Sequence, residues 1–188
     1  MWIPGLFLTT GCSAYVQIST NGDLGIPACA TQARLNGATI LLAQAVPTAQ
    51  QIPCVRSLPV GWSFGAFHAH NGEGRFILNS DRSMDTAALT VVLAPGCRVS
   101  GATEVPSDQP GARRYERVIG VSSGYRGDRY YVSPGSCITY QFNLQGPARA
   151  GPVAEISDAL GIVPRSALAR QVYTDSRGRL QLDPTRGG

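Results

Sequence analysis

The sequence predicts a mainly β protein: an antiparallel sandwich or barrel-like sheet with a C-terminal helical hairpin, an α+β arrangement in which the helices come last. Three observations predict it. Short apolar runs with period-two alternation recur between residues 62 and 144, separated by glycine, proline and asparagine turns. Glycine (22) and proline (13) are abundant, which favours short strands joined by turns over long helices. After Gly146 the apolar period changes from that of a strand to that of a helix.

Each element follows from local pattern. Residues 13–27 carry Ser19, Asn21-Gly22, Gly25 and Pro27 and read as an extended linker. Residues 33–46 are largely apolar and fit either a helix or a strand, and Pro47, Pro53 and Pro59 then punctuate a loop that carries Cys54. Trp62, Phe64, Ala66, His68 and His70 recur every second residue, placing them on one face of a strand. Asn71-Gly72-Glu73-Gly74 turns the chain into a returning strand at 75–79, a hairpin. Residues 89–94 form a third strand stopped by Pro95-Gly96, and residues 100–112 are loop. Strands follow at 113–119 and 129–133. The cleanest is 138–144, where Ile138, Tyr140, Phe142 and Leu144 alternate with Thr139, Gln141 and Asn143. Pro152 opens a helix with Val153, Ile156, Ala159 and Leu160 on one face and Gly161 as its stop. Pro164 opens a second helix, striped by Leu168, Ala169, Val172 and Tyr173, and residues 179–182 form a last short strand.

Composition excludes several function classes. All sixteen basic residues are arginine, as a GC-rich genome would produce. Without lysine there is no Schiff base, no Ser-x-x-Lys nucleophile and no P-loop. A net charge of +4, dispersed along the chain, does not point to nucleic acid. No cofactor motif is present, and no run is long enough to span a membrane as a helix.

Five cysteines, Cys12, Cys29, Cys54, Cys97 and Cys137, include no Cys-x-x-Cys pair, so zinc ribbons and thioredoxin-like sites are unsupported. Cys12 follows Leu8-Thr9-Thr10-Gly11 after a short apolar run, which resembles the lipobox of bacterial lipoproteins, with Thr9 where that box carries leucine. The resemblance implies acylation of Cys12, loss of the first eleven residues and a membrane anchor outside the cytoplasm. Four cysteines then remain, suited to two disulfides. Three pairings are open; near-neighbour bridges Cys29–Cys54 and Cys97–Cys137 are favoured because Cys97 ends one strand and Cys137 begins another. The chain thus divides into a signal and lipobox segment (1–12), a linker (13–30), a disulfide-stapled β-rich domain (31–146) and a helical segment packed on it (147–188).

Beyond residue 30 the sequence resembles an uncharacterised group of actinobacterial cell-envelope proteins. The motifs that carry the resemblance are Val46-Pro47-Thr48-Ala49, Ile52-Pro53-Cys54-Val55, Leu58-Pro59-Val60-Gly61-Trp62, Ala102-Thr103-Glu104-Val105-Pro106, Arg113-Arg114-Tyr115, Gly135-Ser136-Cys137 and Leu180-Gln181-Leu182-Asp183-Pro184. It implies an envelope setting, on the outer face of the cell membrane, and brings no catalytic residues.

Three constellations could carry chemistry. Gly61-Trp62-Ser63-Phe64-Gly65 matches the nucleophile elbow G-x-S-x-G, but a hairpin strand follows it and the only histidines precede the later acids. His68 and His70 share a strand face as two metal ligands would, with Glu73 or Asp81 as a third; two imidazoles at the wet end of a strand are the preferred reading, and no metal is expected. Arg113, Arg114, Arg117, Arg126 and Arg129 recur with Tyr115, Tyr125, Tyr130 and Tyr131. Permanent charge beside aromatic surface suits an envelope protein, an anionic lipid headgroup or a glycan. The competing account pairs these residues across strands of a solvated sheet. The reading favoured is a membrane-anchored binding module without catalysis. The alternative is an envelope hydrolase using Ser63 or a His68/His70 metal.

Overall fold

The computed structural model describes residues 25–29, 36–83, 86–122, 124–146 and 151–184. Among them are helices α1 (Gly37–Ala45), α2 (Gly151–Ala159) and α3 (Arg165–Asp175). The strands are β1 (Gln51–Val55), β2 (Trp62–His70), β3 (Glu73–Ser80), β4 (Leu89–Ala94), β5 (Thr103–Val105), β6 (Arg113–Gly120), β7 (Gly124–Ser133), β8 (Ser136–Gln145) and β9 (Leu160–Pro164). The protein is mainly β, as the alternation predicts, and its sheet is open rather than closed into a barrel.

Seven strands form one antiparallel sheet in the order β2-β3-β4-β8-β7-β6-β5. Two meanders, β2-β3-β4 and β5-β6-β7-β8, meet where β4 pairs with β8. At that seam Ala94 lies opposite Cys137, and the Cys97–Cys137 bridge, with Cα atoms 5.6 Å apart, staples the end of β4 to the start of β8. Cys29 and Cys54 are bridged likewise, Cα atoms 4.8 Å apart. This is the near-neighbour arrangement. It also ties residues 25–29 onto β1 through the Ala28–Val55 bridge, so this end of the expected linker is packed chain.

One face of the sheet is apolar. Phe67, Phe76, Leu78, Leu89, Val91, Leu93, Ile138, Tyr140, Phe142 and Leu144 are all buried on it. A second layer covers this face: α1, the two-stranded ribbon β1–β9, and α2 and α3 beyond it. Burying such aliphatic and aromatic side chains contributes about 1.5–3 kcal/mol each before chain entropy is subtracted. Asn36 starts α1 by accepting from the Thr39 amide at 2.9 Å. Leu42 then lies against Gly74, where a Cβ would come within 2.6 Å of it, so the strand must be bare there for the helix to approach.

Several expectations need correction. The loop expected around Cys54 contains β1, and β9 replaces the turn expected at Gly161. Pro53 is tolerated because it lies in a two-stranded ribbon, opposite Ile162, and not inside the large sheet. The two C-terminal helices therefore flank a strand instead of a tight turn. Residues 179–182 form no strand, although Leu182 is buried, and Tyr173 is 53% exposed while Leu168 and Val172 hold α3 to the core. The expected face of β2 is broken by a bulge between Phe64 and Ala66. The extra residue moves the alternation by one, so Phe64 and Phe67 face the core while Ala66, His68 and His70 lie on the open face.

A buried arginine locks the second layer. Arg165 is 4% exposed and donates to the carbonyl of Ala43, in the last turn of α1, and to that of Asp183 at 2.9 Å. Its own amide donates to Gln50 at 2.8 Å. A cation at the carbonyl end of α1 satisfies a group the helix cannot bond internally and complements the helix dipole.

Candidate functional site

The sheet register decides what each arginine does. On β6 and β7, Arg114 lies opposite Tyr131, Glu116 opposite Arg129 and Arg117 opposite Asp128. Glu116 Oε1 accepts from Arg114 Nε at 3.1 Å and Arg129 Nε at 2.7 Å, so one carboxylate joins two guanidiniums. Burial alone would raise the Glu116 pKa, but the hydrogen bonds and charges of Arg114 and Arg129 hold it below the ordinary value. Arg129 also donates to Ser157 of α2 at 3.1 Å, and its guanidinium stacks 5.6 Å over the Phe142 ring. These residues belong to the covered face.

On the opposite face Arg117 donates to Asp128, to Tyr130 Oη at 2.9 Å and to the Ser100 carbonyl at 3.4 Å. Tyr130 donates in turn to Asp128 Oδ2 at 3.0 Å. Arg113 meets Glu104 of β5 in a two-pronged pair, 3.0 and 2.6 Å, and sits 5.3 Å over the Tyr115 ring. That hydrogen-bonded Arg113 lowers the pKa of Glu104. Back on the covered face, Tyr131 donates to Asp108 at 3.0 Å; burial first, then Asp108, pushes its pKa up to about 12. Four of the five arginines expected to hold a ligand are thus held by the protein itself: Arg113, Arg117 and Arg129 in cross-strand pairs, and Arg114 by Glu116 of its own strand and Asp108 of the preceding loop.

Arg126 differs. It is exposed, and among the described residues it has no ion pair or hydrogen bond. It lies opposite Gly120, beside the β6–β7 turn. Next to it is a hollow of about 190 Å³ lined by Ile119, Gly120, Ser122, Gly124, Leu144 and Gln145. Gly124 permits the walls to close: a Cβ there would collide with the Leu144 carbonyl. Ile119 of the hollow's lining (54%) and Val121 (53%) lie open to solvent, as does Val118 (61%), which pairs with Gly127 and so points to the sheet face away from Arg126. Isolated exposed aliphatics are ordinary, but Ile119 and Val121, two residues apart at one hairpin end and next to an uncommitted guanidinium, form a small patch. The sequence contains this cue, Val118-Ile119-Gly120-Val121, yet its alternation reads as a strand edge that another element could have covered.

The other constellations do not assemble. Ser63 is exposed near the start of β2, opposite Asn79, where no strand turns into a helix. His70 lies 3.7 Å from Glu73, and among the described residues no three His, Cys, Asp or Glu side chains converge on one point. Cys12 and the lipobox lie outside the described residues.

The fold and site define a two-layer, disulfide-stapled β protein with an open sheet face and an apolar, cationic hairpin end. Two disulfides suggest an oxidising setting outside the cytoplasm, and among the described residues no helix is long and apolar enough to cross a membrane. No protein-family model, curated protein or solved structure matches the chain.

Proposed function

We propose that the chain is an exported, lipid-anchored recognition module of the cell envelope, without catalysis, that meets its partner through the end of the β6–β7 hairpin. The observation that carries this reading is the exposed pair Ile119 and Val121 at the hairpin end that holds Arg126, the one arginine of its cluster left unpaired among the described residues. An apolar patch with an uncommitted cation is suited to contact, whereas paired arginines have already spent their donors on the fold. The two disulfides, the lipobox resemblance at Cys12 and the resemblance to actinobacterial envelope proteins support the location.

Retention of purified chain on native envelope fractions tests the contact. Arg126→Ala combined with Ile119→Ser should lower retention with an unchanged melting temperature; full retention by that variant refutes the site. Intact-mass analysis of protein from native membranes should show a diacylglyceryl adduct on Cys12, and recovery of the first eleven residues with a free thiol refutes the anchor.

A further inference from the structure

The hollow beside Arg126 and the aliphatic patch are continuous, because Ile119 belongs to both. Anything seated there touches a free guanidinium and exposed hydrocarbon together. No Asp or Glu lines the hollow, and the nearest acids along the strands, Glu116 and Asp128, are engaged by Arg114, Arg129 and Arg117. The site therefore favours an anion that carries an apolar body. At about 190 Å³ the hollow is smaller than the ~300 Å³ that drug-sized ligands need, and suits a headgroup fragment.

We propose that this hairpin end docks on a membrane surface, with the phosphate of an anionic phospholipid beside Arg126 and the side chains of Ile119 and Val121 among the upper acyl chains. The proposal rests on the reading of the hairpin end as the contact site and names its ligand. Arginine matches a phosphate through paired N–H donors, and at an anionic surface each such cation attracts while its stem can lie along hydrocarbon. A protein partner is the less suited occupant. Its anchors would be enriched in tryptophan and tyrosine, and the exposed pair Ile119 and Val121 is wholly β-branched aliphatic.

The test uses the full chain carrying Cys12→Ser, so that no lipid on the protein itself brings it to a bilayer. Co-sedimentation is measured with vesicles of phosphatidylcholine alone and of phosphatidylcholine mixed with phosphatidylglycerol. The anionic vesicles should retain the protein and the zwitterionic ones much less. Arg126→Ala should weaken the partition about fivefold, and Ile119→Ser with Val121→Ser by about tenfold or more, with disulfides and melting temperature unchanged. Arg98→Ala, at an exposed arginine outside the hairpin that has no partner among the described residues, should change little. Equal losses from Arg98→Ala and Arg126→Ala would mean diffuse attraction and overturn the site. Competition by glycerol phosphate with the aliphatic variant binding as wild type would overturn the lipid in favour of a soluble phosphate. Retention on envelope fractions without retention on any vesicle overturns the lipid but leaves the hairpin contact standing; loss of both defeats both.

Discussion

Replacing Arg165 with methionine should destabilise the protein by about 3 kcal/mol. The side chain is 4% exposed and its two acceptors are backbone carbonyls, Ala43 and Asp183, which no side-chain substitution removes. A buried ion pair can often be exchanged for apolar residues with little loss, because both partners leave together. Here only the donor leaves. The Ala43 carbonyl ends α1 beneath the sheet, and a hydrogen bond from a charged donor to such a group is worth about 1.5–3 kcal/mol. The Asp183 bond lies nearer the surface and adds about 1 kcal/mol. Methionine fills most of the volume, so no large cavity term is added. For a chain of this size each kcal/mol moves the melting temperature by about 2–4 °C, so the expected fall is about 6–12 °C. Calorimetry would read it, and limited proteolysis should show faster cleavage near residues 177–184 once their tether to α3 is gone. A melting temperature within about 2 °C of wild type, with the tail still protected, would refute the assignment of Arg165 as the lock of the second layer.

Three further predictions follow from the same geometry. Cys97→Ser with Cys137→Ser should lower stability by about 3–4 kcal/mol, since the bridge spans 40 residues of sequence, and denaturant unfolding should show it; no change would mean that the β4–β8 pairing alone holds the seam. Because the Glu116 pKa is lower in the folded chain than in the unfolded one, its contribution is present above about pH 4.5 and is lost as pH falls through the folded value. Glu116→Gln should therefore be less stable than wild type at neutral pH, with the difference closing in acid, as melting curves across pH would show. The Tyr131 pKa is raised from 10.0 to about 12, so its contribution is complete below pH 10 and falls away between pH 10 and about 12. Tyr131→Phe should lose about 1 kcal/mol at neutral pH and flatten that alkaline limb, while a phenol absorbance that titrates near 10 in the folded protein would contradict it.

The elements most legible in the sequence were those whose side chains state their own environment. β4 and β8 alternate or run apolar because one face is buried along their whole length, and their limits in the structure fall within two residues of the pattern. β7 begins five residues earlier than expected, because Gly124 and Gly127 look like a loop while their bareness serves close backbone approach. β1, β5 and β9 left no clear period. β1 and β9 pair chiefly with each other in a short ribbon, and Pro53 within β1 and Gly161 and Pro164 within β9 mimic turns. The bulge in β2 was equally silent, since one inserted residue shifts every later side chain without altering composition.

By itself the sequence determined what depends on local periodicity and on residue chemistry: a mainly β chain, helices at the end, an even set of cysteines beyond Cys12, and no lysine chemistry. It also singled out the arginine–tyrosine segment, since permanent charge beside aromatic surface is a property of composition. Which of those arginines is available was decided only by the tertiary structure. Antiparallel register brought Glu116 between Arg114 and Arg129, Asp128 to Arg117, and Glu104 to Arg113, and left Arg126 opposite a glycine that offers no partner. For Arg113, Arg117 and Arg129 the guanidinium is committed by what stands across the strand, a neighbour set by pairing between segments and not by the residues on either side of it, whereas Arg114 is held locally, by Glu116 two residues on and Asp108 six residues back.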